Sequence, residues 1–165
     1  MHILFVCTGN TCRSPMAAFL AKAKIEARGL PWRVSSAGLH AIPGVPIAQF
    51  AADALKRRNV DMSQPHQSQP VTDALLNEVD LVLTMTSGHK HELIRRFPQA
   101  VNKVHELGAY ICTTPVSTFG QYDIVDPFGG SEEVYEACAL ALEEKIELLL
   151  DKLAEQEKTD GQRGE

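Results

Sequence analysis

A short apolar run at the start of the chain, followed at once by a helix, is the feature that most constrains the fold. Residues 2–6 (HILFV) are a continuous stretch of strand-forming side chains, the pattern of a strand buried on both faces of a parallel sheet. Ser14-Pro15 then offers a capping side chain and a proline for the first helical position, and an apolar stripe continues until Gly29 stops it. A strand, a tight loop and a helix therefore fill the first part of the chain.

The alternation of strand and helix continues after Gly29. Further strands are predicted from apolar runs at 32–36, 80–85 and 103–107. Helices are predicted from apolar stripes and capping residues at 47–59, 72–79, 87–97 and 131–153, and a long loop at 108–130. This order predicts a four-stranded parallel sheet with right-handed crossovers in a three-layer, doubly wound α/β fold of the flavodoxin-like type. Ligands of such folds bind at the carboxyl ends of the strands, where Cys7 lies.

Composition is that of an ordinary globular domain. The 165 residues are 44% hydrophobic and 22% charged, so we expect one domain over 1–154 and a polar, flexible tail over 155–165. The net charge of -5 weakens attraction to nucleic acid and to anionic membranes, and we expect neither as a partner. The first apolar run is too short for a signal peptide or a membrane span. We therefore expect a cytoplasmic protein, and we expect it to be a monomer.

The loop between the first strand and the first helix has the residues of a phosphate site. A loop that curls round an anion points backbone N–H groups inward, and the next helix adds its positive N-terminal end. The same field favours the thiolate form of Cys7, Gly9 permits an unusual backbone conformation, and Arg13 can hold two phosphate oxygens through its planar guanidinium. Ser14 can cap the helix or hydrogen-bond the thiolate. The predicted phosphate-binding residues are Thr8, Gly9, Asn10, Thr11, Cys12, Arg13 and Ser14. The pattern predicts a phosphate-binding loop with a nucleophile at its centre.

A cysteine nucleophile also requires an acid. A thiolate that attacks phosphorus expels a leaving group that must gain a proton, and a water must later lose one. Asp126 is the candidate, because Pro127 stiffens its loop and Gly129 and Gly130 allow a tight turn into the last helix. Asp123, three residues earlier, is the competing candidate.

The sequence resembles the low-molecular-weight protein tyrosine phosphatases, whose motif C-x-G-N-x-C-R-S lies near the N-terminus. The resemblance covers residues 1–153, with further landmarks at residues 35–38 (SSAG), His66, 80–85 (DLVLTM) and 126–129 (DPFG). It implies that Cys7 is the nucleophile and forms a phosphocysteine, that Arg13 clamps the phosphate and that Asp126 is the general acid. It also implies a hydrogen-bond network that holds the loop in shape, formed by Asn10, Ser14, Ser36 and His66.

The same resemblance bears on the cysteines. It implies a reversible disulfide between Cys7 and Cys12 that protects the nucleophile from overoxidation, with a buried free thiol at Cys12 as the alternative. Cys138 lies on the apolar stripe of the last helix and is expected in the core. Cys112 lies in the predicted long loop, and its position indicates no role. No Cys or His pair elsewhere matches Cys7 and Cys12 for metal binding, so we expect neither a metal nor another cofactor.

Two positions depart from the tyrosine-specific pattern and resemble the bacterial protein-arginine phosphatases of the same fold. Tyrosine phosphatases of the family usually carry Ile or Leu where this chain has Thr11, and paired aromatics where it has Phe128-Gly129. A small, polar Thr11 widens the floor of the pocket, and Asp126 can pair with a guanidinium as well as protonate nitrogen. The resemblance therefore implies a phosphatase acting on phosphoarginine in protein substrates, with Thr11 and Phe128 as specificity residues.

Three other functions stay open at this point. If Thr11 is neutral variation, the chain is a low-molecular-weight protein tyrosine phosphatase. Arsenate reduction uses the same anion loop with resolving cysteines, and residues 82–89 contain none. An inactive phosphate-binding module would be favoured if Cys7, Arg13 or Asp126 were replaced, but all three are present.

Overall fold

The computed structural model describes residues 1–115 and 117–162. Its four strands are β1 (His2–Cys7), β2 (Arg33–Gly38), β3 (Leu81–Thr84) and β4 (Val104–Glu106). Its α-helices are α1 (Arg13–Ala27), α2 (Gln49–Arg57), α3 (Asp73–Glu78), α4 (Ser87–Arg96), α5 (Leu107–Ile111) and α6 (Glu132–Gln162), and a 3-10 helix spans Pro98–Lys103. Within the described residues, no helix has both the length and the apolar character that crossing a bilayer requires.

The strands form one parallel sheet in the order β2-β1-β3-β4. Strand β1 is central, and its residues 3–6 are fully buried, with side chains alternating between the two faces of the sheet. Ile3 and Phe5 pack in the larger core cluster with α1, α2 and α6, whereas Leu4 and Val6 pack in the smaller cluster with α3 and α4. The predicted three-layer, doubly wound α/β fold is confirmed.

The carboxyl ends of the strands lie side by side, because Cys7 pairs with Gly38 and Val6 pairs with Thr84. The chain leaving β1 passes very close to the end of β2. A β-carbon on Gly38 would lie 2.5 Å from the carbonyl oxygen of Thr8 and 2.9 Å from the nitrogen of Asn10. A glycine at the end of β2 is therefore needed to let the loop after Cys7 fold back over the sheet.

The start of α1 differs from the prediction. The helix begins at Arg13, its N-cap is Cys12, and no side chain caps it. Ser14 is not the cap, because it lies inside the helix and its hydroxyl points to the sulfur of Cys7. Gly29, with φ of 63°, follows the end of the helix as predicted.

The C-terminal half holds two further differences. The predicted long loop from residue 108 begins instead with α5, a short helix that packs against α6. Helix α6 continues through the predicted tail and ends at Gln162. Within this part of the helix, Glu157 accepts a hydrogen bond of 2.9 Å from the indole nitrogen of Trp32. Residues 163–165 of that tail lie outside the described residues, and the division of the chain at 154 stays a prediction.

Candidate active site

The loop that joins β1 to α1, here called the cysteine loop (residues 7–14), is folded around Asn10. Asn10 is fully buried and has φ of 57°, in the left-handed region that asparagine tolerates better than most residues. The prediction that Gly9 supplies the unusual conformation is wrong, since Gly9 is not among the residues with positive φ. Asn10 takes this conformation because its buried side chain holds it there.

Asn10 is the centre of a buried hydrogen-bond network. Its side-chain nitrogen donates to Ser14 Oγ and to Ser36 Oγ, both at 2.9 Å, and its side-chain oxygen accepts from the backbone of Gln69 at 3.0 Å. His66 Nε2 donates to the Asn10 carbonyl at 2.7 Å, and burial lowers the pKa of His66. The structure thus brings together the four residues predicted as the supporting network.

The sulfur of Cys7 lies at the bottom of the loop. It is 2.9 Å from Ser14 Oγ, and the Cys7 residue is only 3% exposed. Ser14 accepts a hydrogen bond from Asn10, and its single hydroxyl hydrogen has two acceptors within reach, the Ala37 carbonyl at 3.3 Å and the sulfur at 2.9 Å. An ionised sulfur, as the nearer and negatively charged acceptor, attracts that hydrogen more strongly than the carbonyl does. A thiolate at Cys7 would therefore meet one hydroxyl donor and the N-terminal end of α1, and both stabilise negative charge.

Arg13 links the cysteine loop to the segment before α6, here called the aspartate loop (residues 117–131). Its guanidinium is buried and donates from Nη1 to the carbonyl of Ile124 at 3.1 Å. Its Nη2 lies 3.1 Å from Asp126 Oδ2, and the Asp126 side chain is 51% exposed. The arginine is therefore fixed by the backbone on one side and paired with an aspartate at the surface on the other.

A cavity of about 250 Å³ opens at this point. Its lining residues are Cys7, Thr8, Gly9, Thr11, Cys12, Arg13, Asp126 and Phe128. Asn10 and Ser14 lie behind this lining, where they support it rather than face the cavity. Phe128 is 78% exposed and forms an apolar part of the rim.

The two candidate acids lie in different surroundings. Asp126 lines the cavity and accepts a 3.1 Å hydrogen bond from the backbone of Phe128 through Oδ1. Asp123 is absent from the lining, and its Oδ1 accepts from Ser87 at the start of α4, at 2.7 Å from the backbone nitrogen and 3.0 Å from Oγ. The geometry favours Asp126 for contact with a bound group and Asp123 for anchoring the loop.

Two side chains beside the cysteine loop were missed by the sequence analysis. His89 Nε2 is 2.8 Å from Thr8 Oγ1, and burial together with the positive charge of Arg13 lowers the pKa of His89 to about 4. Tyr135 OH lies 3.4 Å from the Cys12 sulfur, and burial and Cys12 raise the pKa of Tyr135. His89 is therefore neutral near pH 7, and both contacts come from helices remote in sequence.

The four cysteines are free in this structure. Cys12 is buried under the loop beside Tyr135, and Cys138 is buried on α6 as predicted. Burial raises the pKa of Cys138, so this thiol stays protonated near neutral pH. The Cys7–Cys12 disulfide stays a prediction.

Comparison with known proteins agrees with this geometry. A sequence model of the low molecular weight phosphotyrosine protein phosphatase family matches residues 2–159. The protein-arginine-phosphatase of Bacillus subtilis (strain 168) is 41% identical over 160 residues, 97% of this chain and 99% of that protein. The low molecular weight protein-tyrosine-phosphatase PtpB of Staphylococcus haemolyticus (strain JCSC1435) is 36% identical over 135 residues, 82% of this chain and 87% of that protein.

A solved structure shows the same fold with a phosphorylated site. It is a cysteine-to-serine mutant of the YwlE arginine phosphatase with a phosphorylated active-site serine. It superposes with a TM-score of 0.85 at 39% identity and covers 93% of this chain and 96% of its own. On the family match and these relatives, the chain belongs to the low molecular weight phosphotyrosine protein phosphatase family.

Proposed function

We propose that this chain is a cysteine-dependent protein phosphatase that hydrolyses phosphoarginine. The observation that carries the proposal is the make-up of the cavity, where Thr11 takes the place of a bulky aliphatic residue and the exposed Asp126 lies in the same lining. A guanidinium is planar, charged and rich in donors, so a hydroxyl and a carboxylate suit it better than an apolar wall. The identity of 41% to a protein-arginine-phosphatase supports the same assignment.

The first chemical step is attack by Cys7 on phosphorus. The backbone N–H groups of the cysteine loop and the N-terminal end of α1 hold the phosphate oxygens, and Arg13 adds its positive charge. In the structure Arg13 Nη2 lies 3.1 Å from Asp126 Oδ2. A bound phosphate competes for that guanidinium and leaves the Asp126 carboxyl group for the departing nitrogen. The S–P bond forms, the P–N bond breaks, and the nitrogen takes its proton from Asp126.

The second step hydrolyses the phosphocysteine. Asp126, now ionised, takes a proton from a water molecule, and the water oxygen attacks phosphorus as the S–P bond breaks. The sulfur leaves as a thiolate, and the Ser14 hydroxyl at 2.9 Å is placed to donate a hydrogen bond to it. Neither step requires a metal ion, because the backbone and Arg13 supply the positive charge.

Protein tyrosine phosphatase activity is the second candidate. The exposed ring of Phe128 at the rim of the cavity favours it, because an aromatic wall suits the ring of phosphotyrosine. Under either candidate the partner is a phosphorylated protein. The monomeric state and the cytoplasmic location stay predictions from the sequence.

The deciding experiment compares phosphoarginine and phosphotyrosine in the same peptide with the parent, Thr11→Ile and a control, Thr113→Ile. Thr113 is exposed and absent from the cavity lining. Isoleucine at position 11 adds bulk where the guanidinium lies and removes a hydroxyl, so phosphoarginine turnover falls while phosphotyrosine turnover holds or rises. A pocket change of this kind is worth about 1–3 kcal/mol, so the preference moves by roughly tenfold or more. A parent enzyme that prefers phosphotyrosine, or equal changes for both substrates, would refute the arginine assignment.

A further inference from the structure

A buried carboxyl group without a role lies behind the aspartate loop. Glu106 ends β4 and is the N-cap residue of α5, but its side chain caps nothing. It is 6% exposed, and its Oε1 has no hydrogen-bond partner among the described residues. An ionised carboxylate without donors is costly to bury, and burial together with the charge of Asp123 raises the pKa of Glu106.

The groups that face Glu106 come from two elements. Lys90 lies on α4, and its charge favours ionisation of Glu106. Asp123 and Tyr122 lie on the aspartate loop, where the Asp123 carboxylate opposes ionisation and the Glu106 charge raises the pKa of Tyr122. The net effect raises the pKa of Glu106 above its ordinary value.

The backbone places the carboxyl groups of Glu106 and Asp123 in the same region. Glu106 pairs with Thr84 at the end of β3. A β-carbon on Gly108, two residues after Glu106, would clash with the carbonyl oxygen of Tyr122, the residue before Asp123. A protonated carboxyl group next to a carboxylate can donate its hydrogen to it, whereas two carboxylates repel each other.

Asp123 is the anchor of the aspartate loop. Its Oδ1 is held by the backbone nitrogen and hydroxyl of Ser87 at the start of α4. The next residue, Ile124, donates its N–H to the carbonyl of Met85 at 2.9 Å and accepts from Arg13 at 3.1 Å. Asp126 follows two residues later. A shift of Asp123 would therefore move the carbonyl that holds Arg13 and the carboxyl group proposed as the acid.

We propose that Glu106 is a positioning residue whose proton is shared with Asp123 and fixes the loop that carries Asp126. The inference rests on the proposed function, since it concerns the acid of that reaction. Glu106 reaches neither the cavity lining nor the cysteine loop, so it acts through Asp123 and Ile124. When Glu106 loses its proton, its carboxylate repels the carboxylate of Asp123, and the aspartate loop is held less tightly to α4.

The first test follows the loop without any substrate. Amide hydrogen exchange of Ser87 and Ile124 is measured against pH in the parent, Glu106→Gln and the exposed control Glu144→Gln. In the parent and the control, protection of these amides falls once Glu106 ionises. In Glu106→Gln protection stays constant, because the amide donates to Asp123 and does not titrate. Equal pH dependence in the parent and Glu106→Gln would overturn the proposal.

The second test uses kinetics to measure whether Asp126 is correctly positioned as the acid. Glu106→Ala lowers kcat for the phosphoarginine peptide by about 10- to 100-fold, as misplacement of a catalytic group does, with little change in KM and a smaller loss on an activated aryl phosphate. Glu106→Gln keeps most of the neutral-pH kcat and loses less at alkaline pH than the parent. Equal losses of Glu106→Ala on both substrates would overturn the proposal. If Glu106→Ala does not fold, the kinetics of Glu106→Gln and the hydrogen-exchange data still test the positioning role. A parent enzyme that is inactive on phosphoarginine refutes the proposed function and leaves the positioning role to be tested by hydrogen exchange.

Discussion

Asn10 offers the sharpest test of how the cysteine loop is held. Its side chain makes three hydrogen bonds, to Ser14, Ser36 and the backbone of Gln69, and it is fully buried with φ of 57°. Asn10→Ala removes all three bonds, leaves the N–H of Gln69 without its acceptor and places alanine in the left-handed region. The substitution therefore damages the loop through both its hydrogen bonds and its backbone.

The magnitude follows from these two effects. Three buried hydrogen bonds contribute about 0.5–1.5 kcal/mol each, and the left-handed conformation costs a residue such as alanine about 1–2 kcal/mol. The free energy of unfolding of Asn10→Ala should therefore fall by about 2.5–6.5 kcal/mol. Asn10→Gly loses the same bonds without the steric cost at the β-carbon, so it should be the more stable of the two variants by about 1 kcal/mol.

Urea unfolding followed by the fluorescence of Trp32, the single tryptophan, measures both variants. In kinetics, each should lose kcat/KM to the same extent on a phosphopeptide and on an activated aryl phosphate, because the phosphate cradle is perturbed and the acid is not. A loss of stability below about 1 kcal/mol in Asn10→Ala, the worth of one ordinary hydrogen bond, would refute this reasoning. So would an Asn10→Gly variant that is less stable than Asn10→Ala.

The remaining predictions concern single groups. Cys7→Ser should abolish turnover but keep phosphate binding in a calorimetric titration, and activity within about tenfold of the parent would contradict covalent catalysis. Asp126→Ala should slow phosphopeptide hydrolysis by about 10²–10⁴ and harm an activated aryl phosphate less. Equal losses on both substrates in Asp126→Ala, with the leaving-group dependence appearing in Asp123→Ala instead, would assign the acid to Asp123. Mild peroxide should give a Cys7–Cys12 disulfide that a thiol reductant reverses, whereas sulfinic or sulfonic Cys7 alone in the mass spectrum would count against protection. The pKa of His89 lies near 4, below its ordinary 6.5, so the unfolded chain binds more protons between these values. Its contribution to stability, about 3 kcal/mol at most, is complete above pH 6.5 and is lost as pH falls towards 4, and His89→Gln should remove this dependence in urea unfolding.

The fold could be predicted because its pattern is local. A fully apolar run such as residues 2–6 indicates a strand buried on both faces, and helix signals such as Thr72 and Gly29 lie at the ends of the segments they bound. Helix α5 was missed because its sequence, LGAYI, has no capping residue and contains a glycine. Its packing against α6 decides its conformation, and no local signal reports that contact.

The same distinction explains the site. The residues of the cysteine loop are consecutive in the sequence, so a phosphate site can be predicted from that segment alone. The sequence leaves two roles open for Ser14, because a serine before a proline fits a helix cap as well as a hydrogen bond to the thiolate. The structure excludes the cap and places the hydroxyl 2.9 Å from the Cys7 sulfur. His89 lies 81 residues along the chain from its partner Thr8, and Glu106 lies farther still. Only the sheet order brings His89 to the cysteine loop and Glu106 to the aspartate loop.

Specificity follows from how little of this site contacts the phosphate through side chains. Backbone N–H groups and Arg13 bind a phosphate in the same way whatever it is attached to, so the cysteine loop cannot distinguish arginine from tyrosine. We therefore expect discrimination to come from other residues of the cavity lining, and Thr11, Asp126 and Phe128 are the lining residues for which we predict this role. Phe128 offers an aromatic face that suits the ring of phosphotyrosine, whereas a hydroxyl and a carboxylate match the donors of a guanidinium and leave an aromatic ring without partners. The polar pair Thr11 and Asp126 therefore favours phosphoarginine, and changing Thr11 alone tests that preference while the chemistry of Cys7 stays intact.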